Sequence, residues 1–190
     1  MSRIVGILLA AGSSRRFGSD KRLHPLPDGT PMAVASARHL AAVCSRTIVV
    51  IRPDDMVLAS LLAAEGVETI VCAAAAQGMG HSLSSGVAAS AYAGGWLIAL
   101  ADMPYIQSAS YHAVVRALQD GARMARPVFA GQMGHPVGFG AECFAALLAL
   151  TGDQGGKAIL DADPAALVVC PVADPGVLKD VDLTAKIGLT

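Results

Sequence analysis

Charge is scarce in this chain of 190 residues: Asp, Glu, Lys and Arg make up 15% of it, against 54% apolar residues. That balance excludes a disordered chain and points to a large core under thin polar cover. Aromatic residues are scarcer still, at 4%, while 20 glycines and many alanines suit helices packed closely on a sheet. No C-x-x-C pair joins Cys44, Cys72, Cys143 and Cys170, so neither a zinc ribbon nor a redox motif is indicated. Each cysteine lies among apolar residues, as a small buried hydrophobe in a reducing cytosol would. No apolar run approaches the ~18 residues of a membrane helix, and the amino end lacks the order of a signal peptide. A soluble cytoplasmic protein is expected, with no membrane attachment. The formal net charge of −1 provides no general footprint for nucleic acid.

What charge there is gathers in one place. Five of the fourteen Lys and Arg residues fall in the first 22 positions: Arg3, Arg15, Arg16, Lys21 and Arg22. The stretch Leu8 to Arg22, LLAAGSSRRFGSDKR, begins as the end of an apolar run and passes through Ala11, Gly12, Ser13 and Ser14 into four cations. Small residues admit an anion close to backbone N–H groups, and cations just beyond them neutralise phosphate oxygens. The spacing from Gly12 to Gly18, with no Gly-Lys-Ser/Thr after it, fits neither a Walker P-loop nor G-x-G-x-x-G. A phosphate site of another geometry is expected, in a strand–loop–helix setting.

Along the chain, apolar runs of strand length alternate with helical patterns. Strands are expected at Arg3 to Ala10, Arg46 to Ile51, Glu68 to Cys72 and Trp96 to Ala101, then at Arg126 to Phe129 and Ala166 to Val172. Helices are expected from Thr30-Pro31 to about Cys44, from Pro53 to Gly66, over His81 to Ala93 and over Ser108 to Gln119, with shorter ones at Ala141 to Leu150 and Lys157 to Leu160. Ala73 to Gly80 and Gly131 to Phe139 read as loops, the second leading into another apolar piece. This order implies βαβ units in a mostly parallel sheet, with an antiparallel strand or hairpin in the less regular last third. No linker divides residues 1–190, so one domain is expected.

In such a sheet the functional loops gather beyond the carboxyl ends of the strands. Asp102 follows six apolar residues and stands where a hard cation, held by one or two carboxylates and phosphate oxygens, would bind; an ordinary turn aspartate before Pro104 is the alternative. A second oxygen ligand falls to Asp182, Asp153 or neither. Gly78, Gly80 and Ser82 open a helix and offer N–H groups and a hydroxyl to a sugar or base. His135 is fixed between Gly134 and Pro136. Asp153 and Lys157 flank a further glycine turn.

These residues carry a resemblance. Leu9-Ala10-Ala11-Gly12-x-Ser14-x-Arg16-Phe17-Gly18-x-Asp20-Lys21 resembles the signature of the molybdenum cofactor guanylyl- and cytidylyltransferases. Ala101-Asp102-Met103-Pro104 resembles that family's metal-binding segment, and Gly78-Met79-Gly80-x-Ser82-Leu83 its substrate loop. Gly134-His135-Pro136 and Gly152-Asp153-x-Gly155 resemble the cytidylyl branch, and Val181-Asp182-Leu183-Thr184 the closing aspartate segment. The resemblance implies a three-layer, Rossmann-like α/β nucleotidyltransferase fold with a mostly parallel sheet. It implies transfer of CMP from CTP to the phosphate of a molybdopterin-type acceptor, with release of pyrophosphate. By that likeness Arg16 and Lys21 are catalytic; Leu9, Ala10, Ala11, Gly12, Gly78, Gly80 and Ser82 hold the nucleotide; His135, Pro136 and Asp153 hold the acceptor; Asp102 and Asp182 hold Mg²⁺. Ala11 adds a methyl group where a purine needs room, which favours CTP over GTP. A molybdoenzyme or cofactor chaperone is the implied protein partner. Two other readings stay open: transfer to another phosphorylated acceptor such as a sugar or polyol phosphate, and a nucleotide-binding chaperone without turnover.

Overall fold

The computed structural model describes residues 3–12 and 20–181. Four parallel strands make its first half: β1 (Ile4–Leu9), β2 (Arg46–Ile51), β3 (Glu68–Val71) and β4 (Gly95–Leu100), in the order β3-β2-β1-β4. Ile7 pairs with Ile48 on one side and with Ile98 on the other. β1, β4 and the later part of β2 read as apolar runs because both faces are covered, whereas the edge strand β3 is only partly buried. Alternate residues feed two separate cores: Ile4, Leu8, Val49, Leu97 and Ala99 on one face, Val5, Ile7, Ile48, Val50 and Trp96 on the other. Helices α1 (Met32–Ala41), α2 (Met56–Ala64) and α4 (Ser108–Gln119) cover the first face; α3 (Met79–Ala88), α5 (Phe144–Leu148) and α6 (Lys157–Ala162) cover the second. Three layers result.

The second half is mixed, as its less regular pattern implies. β7 (Val137–Gly140) runs antiparallel to both β4 and β5 (Met124–Phe129), so β5 again runs with β1 to β4, and β8 (Leu167–Pro171) pairs parallel to β5. A two-residue turn, Ala130 (φ 49°) and Gly131 (φ 79°), folds β5 onto the short β6 (Gln132–Met133). Positive φ at both turn residues matches the right-handed twist of the strands. The loop expected over Gly131 to Phe139 therefore contains β6 and most of β7.

Glycines end two helices as their positions suggest. Gly66 (φ 70°) donates to the Ala63 carbonyl and Val67 to that of Leu62, and Gly121 with Ala122 repeats the pattern on α4. The limits of the three helices α1, α2 and α3 differ from expectation. α1 starts at Met32, because the Thr30 N–H turns back to Asp28 and the Pro31 carbonyl takes the first helical bond from Ala35; the helix ends at Ala41. α2 starts at Met56, past Pro53, with Asp55 in the capping position. α3 starts at Met79 and stops at Ala88, where the Ser90 hydroxyl bonds the Gly86 and Val87 carbonyls and accepts the Trp96 indole N–H. Among the described residues no helix is long and apolar enough to cross a membrane.

Candidate nucleotide and acceptor site

The ladder continues one residue past β1 and β4: Ala10 donates to the Val50 carbonyl at 3.0 Å and Ala101 to that of Leu9 at 3.2 Å. Ala10 and Ala11 are buried and Gly12 is exposed. Arg16, with Ser13 to Ser19, lies outside the described residues, as does Asp182. The chain returns at Asp20, whose carboxylate caps a single 3-10 turn, Lys21–Leu23. There Lys21, only 8% exposed, reaches across to β4's exit and places its Nζ 3.0 Å from Asp102 Oδ2. Two residues 81 positions apart thus meet at the carboxyl edge of the sheet.

Its neighbour Arg22 is also buried, and every one of its five N–H donors is committed. Nε and Nη2 hold the Asp20 carboxylate, Nη1 and Nη2 hold Asp55, and Nη1 also holds the Ala10 carbonyl. Arg52, at β2's exit, closes the network by donating to Asp20 and Asp55, and its backbone N–H gives Asp55 a further bond at 2.8 Å. Arg22 is therefore not one of the phosphate-facing cations that the first loop's composition suggests. It ties the exits of β1 and β2 to the turn that carries Lys21. The bidentate fork of an arginine suits this task in a way that a lysine does not. Ala10 is corrected too. Its N–H and C=O are both used inside the protein, so the expected backbone contact to a nucleotide does not come from that N–H. The Ala11 side chain belongs to the second core.

The second glycine segment is built against a third loop. A Cβ on Gly78 (φ 130°) would lie 2.1 Å from the Gly152 carbonyl carbon, and one on Gly80 would lie 2.7 Å from two backbone oxygens, those of Thr151 and Gln154. Gly80 donates its N–H to the Gly152 carbonyl at 2.8 Å. The reading of Gly80 as a donor to sugar or base is corrected by that bond: its N–H packs α3 onto the Thr151 to Gln154 loop. Asp153, exposed, lies beside Gly78 on this loop, and Ser82 is buried within α3. Lys157 does not face an anion-binding turn; it pairs with Asp161 at 2.6 Å on the exposed side of α6.

Gly134, His135 and Pro136 form the break between β6 and β7, with a cis peptide before Pro136, which is buried. The His135 N–H donates to the Val177 carbonyl, and Arg126 donates from Nε and Nη2 to the Gly134 carbonyl at 3.1 and 3.0 Å. Burial pushes the His135 imidazole down to about 4, Arg126 adds to that shift and Asp102 opposes it, so the ring is neutral at pH 7. Its Nδ1 is buried without a hydrogen-bond partner among the described residues. Below this loop the segment after β8 is pinned by buried Asp174, which accepts from the Gln107 and Gly176 N–H groups and the Ser110 hydroxyl. It then returns to the site, where Val181 donates to the Asp102 carbonyl at 2.9 Å. Asp182 follows directly in the chain.

The structure thus gathers Lys21, Asp102 and the approach to Asp182, with His135 close enough to feel Asp102. It gathers Gly78, Gly80 and Asp153 separately, where two loops pack together. Asp55, Arg52, Arg126 and Asp174 escape the sequence reading. Arg52 and Asp55 follow a buried strand just as Asp102 does, so the same placement rule points to them. Among the described residues no three His, Cys, Asp or Glu side chains form a metal cage. One carboxylate at a strand exit suits Mg²⁺, which completes its shell with water and substrate phosphates, and does not suit zinc.

The mostly parallel α/β sheet with its antiparallel part, on which Lys21 meets Asp102 at the exit of β4, is a nucleotidyltransferase-type fold. Rv0371c from Mycobacterium tuberculosis H37Rv has a similar structure, with a TM-score of 0.81 and 25% identity over 95% of this chain and 93% of that one. Its complex with manganese matches at a TM-score of 0.74 and 23% identity over 90% of this chain and 89% of that one, a likeness of fold. The chain belongs to the MobA-like NTP transferase domain family, whose model matches residues 6–167. It is also 31% identical over 189 residues to the purine catabolism protein PucB of Bacillus subtilis (strain 168), covering 94% of this chain and 91% of that protein.

Proposed function

We propose that this chain transfers CMP from CTP to the phosphate of a molybdopterin-type acceptor, as one nucleotidyltransferase domain in the cytoplasm. The observation that carries this reading is the contact between Lys21 and Asp102 at the mouth of the sheet. An oxygen of the acceptor phosphate attacks the α-phosphorus in line. That P–O bond forms while the bond from the α-phosphorus to the bridging oxygen breaks, and pyrophosphate leaves with the electron pair. The acceptor is already anionic, so no side-chain nucleophile is needed, and the protein's task is to position two anions and offset their charge. Lys21, with Arg16, holds the triphosphate; Ala11 and Gly12 supply the backbone contacts of the loop; Asp102, with Asp182, holds Mg²⁺. The cation supplies charge neutralisation on the phosphates when bound. The Rv0371c complex with manganese agrees with a divalent ion bound to a protein of this fold. The four cysteines are free thiols, in keeping with a reducing compartment.

The GHP segment and Asp153 support the acceptor assignment through their likeness to the cytidylyl branch. CTP is preferred because Ala11 adds a methyl group where a purine needs room, a discrimination of roughly 1–3 kcal/mol. Titration of CTP and GTP in the presence of Mg²⁺ tests it; equal affinity, or tighter GTP, removes that preference. Pyrophosphate release with and without purified molybdenum cofactor separates transfer from carriage alone. Lys21→Ala is expected to lower turnover by about a hundredfold, the usual cost of one charge donor aimed at the transition state. Turnover within threefold of the parent rejects the role.

A further inference from the structure

Of the eight arginines among the described residues, five pair with carboxylates, and Arg3 and Arg116 lie exposed to solvent. Arg38 holds Glu65, Arg46 holds Glu68, Arg123 holds Asp163, and Arg22 and Arg52 share Asp20 and Asp55. Arg126 differs. It lies half-buried on β5, yet no carboxylate stands within ion-pair distance of it among the described residues. Nε and Nη2 donate to one neutral carbonyl, that of Gly134, and no bond from Nη1 is found among the described residues. The carboxylate that acts on it from a distance, Asp161, already holds Lys157. A cation withdrawn from water costs stability unless an anion or a set of acceptors meets it. One residue along from that shared carbonyl, His135 presents a second unmet need: an Nδ1 that is buried and unpartnered among the described residues. A half-buried cation without a carboxylate and an unpartnered imidazole nitrogen therefore flank one peptide, and the imidazole feels the Asp102 carboxylate at the β4 exit.

We infer that Arg126 and His135 form an oxyanion subsite, the guanidinium supplying the charge and the neutral imidazole a directional hydrogen bond. Its ligand is a phosphate-type anion of the acceptor, an assignment to the acceptor that rests on the transferase reading. Lysine at this position keeps a point charge but loses the fork that grips the Gly134 carbonyl and the anion together.

Inorganic phosphate is the probe. Because phosphate also meets Lys21, the titration is done on Lys21→Ala protein, following the Arg126 Nε–H and His135 ring nitrogen signals by NMR. The expected result is a saturable shift of both, with affinity falling at least tenfold when Arg126→Gln is added. Signals that do not move, or an affinity unchanged within twofold by Arg126→Gln, overturn the subsite. Should the glutamine variant fail to fold, Arg126→Lys decides: a several-fold weaker affinity supports the fork, an unchanged one rejects it. In turnover with CTP and acceptor on the otherwise native chain, Arg126→Gln is expected to raise KM for the acceptor at least tenfold and leave KM for CTP alone. A KM shift on CTP instead, or none, overturns the acceptor assignment even if phosphate binds. Failure of all CTP-dependent turnover rejects the transferase reading, and the phosphate titration still decides the subsite.

Discussion

Replacing Arg22 by Met tests whether the network at the exits of β1 and β2 holds the reactive edge of the sheet in place. The Arg22 and Asp55 side chains are each 5% exposed, so this is a buried ion pair. Removing one partner of such a pair commonly costs about 3–5 kcal/mol, because the other charge stays behind. Here Arg52 keeps its bonds to Asp55 at 2.9 and 2.8 Å and to Asp20 at 3.2 Å. That retained contact places the expected loss near the lower limit, about 3 kcal/mol, to which the orphaned Ala10 carbonyl adds about 1 kcal/mol. For a chain of this length that lowers Tm by roughly 8–16 °C. The pH dependence has a definite sign. Burial already raises the Asp55 carboxyl above its usual value, and Arg22 pulls it down. Without Arg22 the carboxyl rises further, so the folded variant holds a proton more firmly than its unfolded chain does. Stability gained from that proton is present below the unfolded pKa and fades as pH rises through the folded one. The deficit of the Met variant is therefore larger at neutral pH than in mildly acidic buffer. Urea unfolding at both pH values measures it, provided the slope is unchanged. A deficit under about 1 kcal/mol, or one that grows on acidification, refutes the reasoning.

Gly78→Ala forces a Cβ into the Gly152 backbone at a φ of 130°, and is expected to cost at least about 2 kcal/mol by denaturant unfolding. A variant as stable as the parent means the two loops do not pack as described. Asp102→Asn is expected to remove the divalent-cation stimulation of turnover while leaving the fold intact by circular dichroism; a normal Mg²⁺ response excludes Asp102 as its ligand. Ala11→Gly is expected to improve the use of GTP relative to CTP by a few-fold in competition assays, and no change dismisses the role of the Ala11 methyl.

The strands buried on both faces were the most legible part of the chain. β1 and β4 carry no polar interruption and β2 only Arg46 and Thr47 at its start, so their limits are readable to within a residue or so, and α4 is readable to the residue between Gln107 and Gly121. The insertion of β7 between β4 and β5 was not readable, because strand order depends on pairing over long distances and leaves no local pattern. The β5–β6 turn was hidden for a different reason: Ala130 adopts a positive φ that its identity does not announce. In the site, placement directly beyond a buried run points to Asp102, and the cluster of cations with the likeness at Asp20-Lys21 points to Lys21; the structure brings the two side chains together. Arg22 was misassigned because composition counts cations without showing which are already paired. Arg126 looked like any strand residue, since an unmet charge is visible only when its neighbours are known.

The segment that follows β8 is sewn to the rest of the molecule at three separate points: by Asp174 to the start of α4, by Val177 to His135, and by Val181 to Asp102. Trimming the protein back toward Pro171, however remote that seems along the chain, would loosen the histidine loop and the β4 exit together. An engineer seeking a minimal version should regard the last third as part of the working edge.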